Sequence, residues 1–227
     1  MTNWKELRQK IAGFYIHGEG IEIGALAQPL LLTGNAKVRY VDLLPSSELK
    51  KLYHNLPEND FVNVDIIDNG ERLDKIKDAT QDFVIANHFL EHCQDPIAAV
   101  HNMLRVVKPG GIIYLAIPDK NYTFDRDRPV TPLEHYIKDF EEGPEWSCEG
   151  HYEEVIRLIE HIDDDKQVLA RKKTLMDSGY SIHFHVWSQF EMMEFITFIK
   201  RKYNLSFKVE LFLANEFEVI IILRRTE

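Results

Sequence analysis

Asp82-Phe83-Val84-Ile85-Ala86-Asn87-His88-Phe89-Leu90-Glu91-His92, followed by Asp95-Pro96 and by Leu104-Arg105-Val106-Val107-Lys108-Pro109-Gly110-Gly111, decides the fold. The unbroken apolar run from Phe83 to Ala86 reads as a strand covered on both faces, and it stops abruptly at the polar pair Asn87-His88. A helix then starts afresh. Asp95 can cap it, Pro96 sits where a missing N–H costs nothing, and Ile97, Val100, Leu104 and Val107 recur on one face before Pro109-Gly110-Gly111 ends the run. Strand, turn and capped helix in that order make a βα unit.

Working outward, the same alternation fills residues 1–118. Strands are predicted at Ile21–Gly24, Val38–Leu43, Phe61–Ile66, Phe83–Asn87 and Ile112–Ile117, with helix-like segments such as Ser47–His54 and Glu71–Asp78 between them. A helix opens at Ser188 with Glu191 completing a capping box. Phe207–Leu213 and Phe217–Leu223 then form a hairpin, so the last strand should run antiparallel to its neighbours. The expected fold is α/β: a Rossmann-like, seven-stranded, mostly parallel sheet with one antiparallel strand, helices on both faces and a helical cap insertion. Residues 1–118 and 188–227 would be the ligand-binding domain, and 119–187 an inserted substrate-binding cap, far longer than an ordinary βα connection.

Composition narrows the function. The chain has 227 residues, 44% of them hydrophobic, enough for one well-buried domain with an elaboration. Its formal net charge of −10 disfavours a broad grip on nucleic acid, and the insertion alone contributes −7. Only Cys93 and Cys148 are present, without a CxxC pair, which fits a reduced, cytoplasmic setting and leaves no cysteine-rich zinc module. Neither an apolar leader after Met1–Lys10 nor a run long enough to span a bilayer is read, so no membrane partner is expected.

In such a sheet, ligands gather beyond the carboxyl ends of the strands. Glu22 and Gly24, with Ala25 after them, end the first predicted strand, and Asp42, with Leu43 after it, ends the second. Asp42 follows Gly24 by 18 residues, close to the spacing at which an acid takes ribose hydroxyls. Leu26 and Gln28 stand where a phosphate cradle would need glycine, so the ligand should be a nucleoside without a diphosphate.

Glu22-Ile23-Gly24, Asp42, Asp82–His92 with its "LEH", and Leu104–Gly111 with its "LRVVKPGG" together resemble the class I S-adenosylmethionine-dependent methyltransferases, in particular their UbiE-like, small-molecule (type 11) subgroup. The resemblance covers residues 18 to 118, and 185 to 224 by topology; the insertion is outside it. It implies S-adenosylmethionine as cofactor and a small-molecule substrate, with no metal. Glu22 and Gly24 would form the first cofactor loop, Asp42 would bind the ribose diol, Asp65 and Ile66 would flank the adenine, and Asn87 and His88 would lie by the methionine portion. Two other readings stay open: a non-catalytic S-adenosylmethionine-binding or regulatory protein, and a nicotinamide-linked oxidoreductase of the same fold.

For proton removal, His88 is the first candidate, with Asp119 at the neighbouring strand end and His135 in the insertion behind it. Tyr122, Arg126 and Arg128 are candidates for orienting a polar substrate group. His88-Phe89-Leu90-Glu91-His92 also matches the HxxEH metal pattern, but that pattern needs one continuous helix, and here it follows a strand directly. His183 with His185, and Asp125 with Asp127, are weaker metal pairs. Asp68 competes with Asp65 for the adenine position.

Overall fold

The computed structural model describes residues 3–227; Met1 and Thr2, the start of the first predicted domain, lie outside the described residues. Seven strands form one sheet in the order β3-β2-β1-β4-β5-β7-β6. They are β1 Glu19–Ile23, β2 Lys37–Asp42, β3 Ile66–Ile67, β4 Gln81–Asn87, β5 Val107–Pro118, β6 Phe207–Asn215 and β7 Glu218–Arg225. All neighbours pair parallel except β7, which is antiparallel to both β5 and β6.

The unbroken apolar runs follow from burial on both faces. Phe83 and Ile85 of β4, Tyr114 and Ala116 of β5, and Ile220 and Ile222 of β7 point to one side, against Ile11 and Ala12 of helix α1, Trp4–Tyr15. Val84, Ile113, Leu115, Ile221 and Leu223 point to the other, where α3, Pro96–Val106, and α7, Gln189–Lys202, cover them. Strand side chains alternate with period two, so each strand feeds two cores at once. The anticipated caps are made: Asp95 accepts from Ala98 N at 2.8 Å, and Ser188 and Glu191 complete their box.

Two expected elements differ. The third strand is only Ile66–Ile67, not Phe61–Ile66, and α2 occupies Ser46–Leu52. Residues 71–78 form turns instead of a helix. Leu73 sits at φ +52°, and the Asp68 carboxylate takes Lys75 N, bonding the chain to itself without helical periodicity.

Residues 119–187 contain two 3-10 turns and three helices: α4 Leu133–Glu142, α5 Glu145–Leu158 and α6 Asp165–Asp177. They have a separate small core of Tyr152, Ile156, Val168, Leu175, Ile182 and Phe184. Thr131 does not cap α4. Its hydroxyl accepts from Val186 N at 3.0 Å and so ties the two ends of the insertion together. Among the described residues, no helix is long and apolar enough to cross a membrane.

β1 and β4 approach so closely that a Cβ on Gly20 would overlap the Phe83 carbonyl oxygen and ring. Neither can move aside, because the carbonyl belongs to the central strand and the ring is fully buried. Gly20→Ala should therefore destabilise the fold by about 1–3 kcal/mol or more, read as a lower denaturation midpoint in urea. An unchanged midpoint would show that the strands have room to separate.

Candidate functional site

The carboxyl edge of the sheet is built first by β1. Its Glu22 is buried, with Oε1 accepting from Leu30 N at 2.9 Å while Oε2 is buried without a partner. Burial pushes the Glu22 carboxyl up to about 7, against the opposing Leu30 N–H, the Arg8 charge and the nearby Asn87 amide. After Ile23 the chain turns at Gly24, φ +65°, and the space a Cβ would enter there meets only the Phe89 ring, at 3.8 Å. Leu26 adopts φ +47°, so the loop keeps a glycine-like backbone where the residue is not glycine. Ala25 is buried beneath this turn.

At the neighbouring edge Asp42 is half-buried, its Oδ1 accepting from Leu43 N at 2.7 Å. Burial raises its pKa, opposed by the N–H groups of Leu43 and Leu44. Leu43 and Ile67 are exposed apolar side chains beside it. A carboxylate next to exposed aliphatic surface suits a sugar diol with an aromatic base attached.

β4 ends in Asn87, whose Oδ1 and Nδ2 are both buried and unpartnered. His88 follows at φ +48°, held there by its N–H donating to Ala116 O at 2.8 Å. A bulky residue in that region is strained, and such strain is concentrated at functional positions. His88 Nε2 lies 2.8 Å from Glu218 Oε2. Glu218 is in turn gripped by Arg8 through two nitrogens and by Asn215 Nδ2. Burial opposes ionisation of Glu218, but the bonds from His88 and Arg8 together hold its carboxyl below the usual range. On the other side of the ring, Nδ1 lies 3.5 Å from Glu91 Oε1, and both Glu91 carboxylate oxygens are buried without hydrogen bonds.

The remaining candidates separate. Asp65 lies just before β3 instead of near its end, because the strand starts later than expected, and its carboxylate accepts from Tyr40 N at 2.8 Å. Ile66 is the first strand residue, and the edge position belongs to Asp68, whose oxygens take Asn69 N and Lys75 N. Asp119 is buried and committed: Oδ1 receives Asn121 N and Nδ2, and Oδ2 receives Gln189 N. His135 does not join His88. Its Nε2 lies 2.9 Å from His151 Nε2 and 3.3 Å from Asp139 Oδ2, within a buried group that includes His185.

Arg128 is fully buried against Asp125 and Glu154, and Arg126 donates to Asn121 O, so neither is free for a substrate. Tyr122 remains exposed. His88 and His92 do not converge as HxxEH would require: a 3-10 turn at Leu90–His92 replaces the helix, and His92 Nδ1 faces Ile182 O at 2.9 Å. His183 and His185 part as well, one to Asp125 and the other to Asp139, and Asp127 does not share the Asp125 partners.

Sequence reading missed Arg8, Glu218 and Glu91 at the edge, and Asp139 and His151 in the insertion. Only the His135-to-Asp139 spacing, one helical turn, was available as a signal.

Comparison with known proteins agrees with this geometry. Residues 18–115 match the family described as "Methyltransferase domain". No curated protein sequence matches. A solved SAM-dependent methyltransferase of Thermotoga maritima is 17% identical at TM-score 0.52, covering 99% of this chain and 90% of that one. Another, from Aquifex aeolicus, is 12% identical at TM-score 0.50, covering 96% and 87%. Identities this low establish a shared fold alone. The family match runs from β1 into β5 and takes in the Glu22, Asp42 and Asn87 edge, so residues 18–115 are similar to a methyltransferase domain, on a fold this chain shares with solved SAM-dependent methyltransferases.

Proposed function

We propose that this enzyme methylates an oxygen, nitrogen or carbon nucleophile of a small molecule, with Glu22, Gly24, Ala25, Asp42, Leu43, Asn87 and His88 holding S-adenosylmethionine. The observation that carries this is the set of orphaned polar atoms at the carboxyl edge, Glu22 Oε2 and both Asn87 side-chain atoms, buried beside the turn at Gly24. Buried polar groups are ordinarily paired, and an unpaired set at a strand edge suits the amino-acid end of a ligand. When bound, S-adenosylmethionine supplies a methyl group already activated by its sulfonium charge.

The chain is left to align and to move a proton. His88 donates Nε2–H to Glu218, which leaves the Nδ1 lone pair as the proton acceptor, and Glu218 stabilises the imidazolium that forms. Arg8 keeps Glu218 ionised and in place. Asp65, Asp119 and His135 are engaged elsewhere, so His88 is the base in this reading. In this reading residues 119–187 would form the cover over the edge; Tyr122, four residues past the end of β5, is exposed. The negative insertion disfavours a phosphate chain as substrate.

Incubation with methyl-labelled S-adenosylmethionine and a small-molecule cell extract should put label into a low-mass product; label confined to RNA or protein would overturn the substrate class. Asp42→Ala should weaken cofactor binding by about 1.5–3 kcal/mol, roughly ten- to a hundred-fold, by calorimetry with S-adenosylhomocysteine, while NAD gives no binding heat. Unaltered affinity in the folded variant would remove Asp42 from the site.

His88→Ala should lower the turnover number by about 10²–10⁴-fold and weaken cofactor binding far less than that. A variant as fast as the parent at every pH would refute the assignment. Glu22 gives a pH signature of known sign. A cationic ligand favours the ionised carboxylate, so affinity should be full above pH 7 and fall about tenfold per pH unit below it, following the raised value of about 7. Glu22→Gln should flatten that profile, and an unchanged slope would show that Glu22 does not face the ligand.

A further inference from the structure

We propose that His135, Asp139, His151 and His185 form a closed four-ligand site for a divalent transition metal of the zinc type. This departs from the metal-free expectation. Three imidazole Nε2 atoms and one carboxylate Oδ2 converge. His135 Nε2 is 2.9 Å from His151 Nε2 and 3.3 Å from Asp139 Oδ2, and His185 Nε2 is 3.0 Å from the same Oδ2. All four ligand atoms lie within 4.8 Å of one another. A tetrahedral ion with bonds of about 2.0–2.1 Å has ligand-to-ligand edges of about 3.3 Å. The observed spacing is that of a coordination shell.

Proton counting points the same way. His185 places Nδ1 3.0 Å from the Cys93 carbonyl and Nε2 3.0 Å from the Asp139 carboxylate, two groups that only accept. Without a metal, this fully buried ring must carry both protons and a charge. Such a charge, out of reach of solvent, is costly to hold there. The His135–His151 contact likewise sets two ring nitrogens face to face. A cation at the centre removes the conflict: His185 keeps Nδ1–H for Cys93 and offers the Nε2 lone pair inward, and His135 and His151 do the same with theirs.

The surroundings are those of a supported ligand set. The Cys93 carbonyl fixes the tautomer of His185, and Ser147 Oγ donates to Asp139 Oδ1 at 3.0 Å, orienting the carboxylate. Three imidazoles and one carboxylate suit zinc and its neighbours and not magnesium or calcium, which take oxygen shells. With four protein ligands no position remains for water or substrate, so the role is structural. The ion would join α4, α5 and the segment before α7, and hold them against the turn after β4, where Glu91 O already accepts from Phe184 N at 2.8 Å.

The test uses the full chain, purified without added chelator, with metal content measured by mass spectrometry and Zn²⁺ and Co²⁺ titrated into metal-stripped protein. About one zinc per chain and the intense visible absorption of four-coordinate cobalt are expected. His151→Ala and Asp139→Asn should lose at least tenfold in zinc affinity, and His101→Ala, an exposed histidine on α3, should lose none. If His151→Ala does not fold, His135→Ala, at the partly exposed side of the cluster, carries the comparison. A folded parent chain with no saturable zinc binding overturns the proposal, as does equal affinity in the cluster variants and the parent.

Discussion

A strand that runs against its neighbours begins where they finish, and the site depends on that constraint. β7 lies between β5 and β6 and is antiparallel to both, with Glu218, its first residue, paired to Pro118, the last of β5. The reversal brings the amino end of β7, and with it the Glu218 carboxylate, to the carboxyl edge, where a parallel strand would have brought its carboxyl end. His88 emerges from β4 at the same edge and meets Glu218. The interaction is anchored a second time from the opposite side, because Arg8 on α1 reaches the same carboxylate. One buried ion pair thus fixes the first helix, the last hairpin and the residue assigned as base.

Buried carboxylates elsewhere show what that arrangement requires. Asp125 has Arg128 and His183; burial opposes its ionisation, but those partners outweigh it and hold the carboxyl low. Glu218 has Arg8, Asn215 and His88. Taking an ion out of water costs several kcal/mol unless partners replace the lost hydration. Glu22 Oε2 and both oxygens of Glu91 have none, and both residues lie at the edge of β1 or just past β4. The contrast within one protein is informative: Asp125 and Glu218 are held by cationic partners, whereas the carboxylate oxygens without hydrogen bonds lie at the carboxyl edge of the sheet.

Much of this was legible in the sequence because it is local. Apolar runs, the Asp95-Pro96 start, the Ser188–Glu191 box and the short hairpin turn each report on a few adjacent residues, and strand order follows from how βα units wind. Glu22, Gly24, Asp42, Asn87 and His88 were readable because strand ends can be found by pattern. β3 was not, since Phe61 to Val64 carry alternating apolar residues yet the chain pairs with β2 only at Ile66 and Ile67. Asp65 was misplaced with it. The Arg8–Glu218 pair spans 210 positions, and the His135, Asp139, His151 and His185 group comes from three separate segments of the insertion. Neither has a periodicity to reveal it.

Asp119 shows how a residue at the right edge can serve the site without touching a ligand. One of its oxygens receives Asn121 N at the beginning of the insertion, and the other receives Gln189 N just after its end. The two ends of residues 119–187 are therefore clamped by a single carboxylate at the tip of β5, and Thr131 with Val186 repeats the clamp a few residues inward. Closing a loop of this length at its base costs only slightly more entropy than closing a short one, because the closure cost grows slowly with length. The last residues of the insertion are held again, by Phe184 N and His185 N on Glu91 O and by His185 Nδ1 on Cys93 O, in the turn after β4. The insertion, which lies outside the residues of the family match, is thereby fastened to the sheet edge at both of its ends.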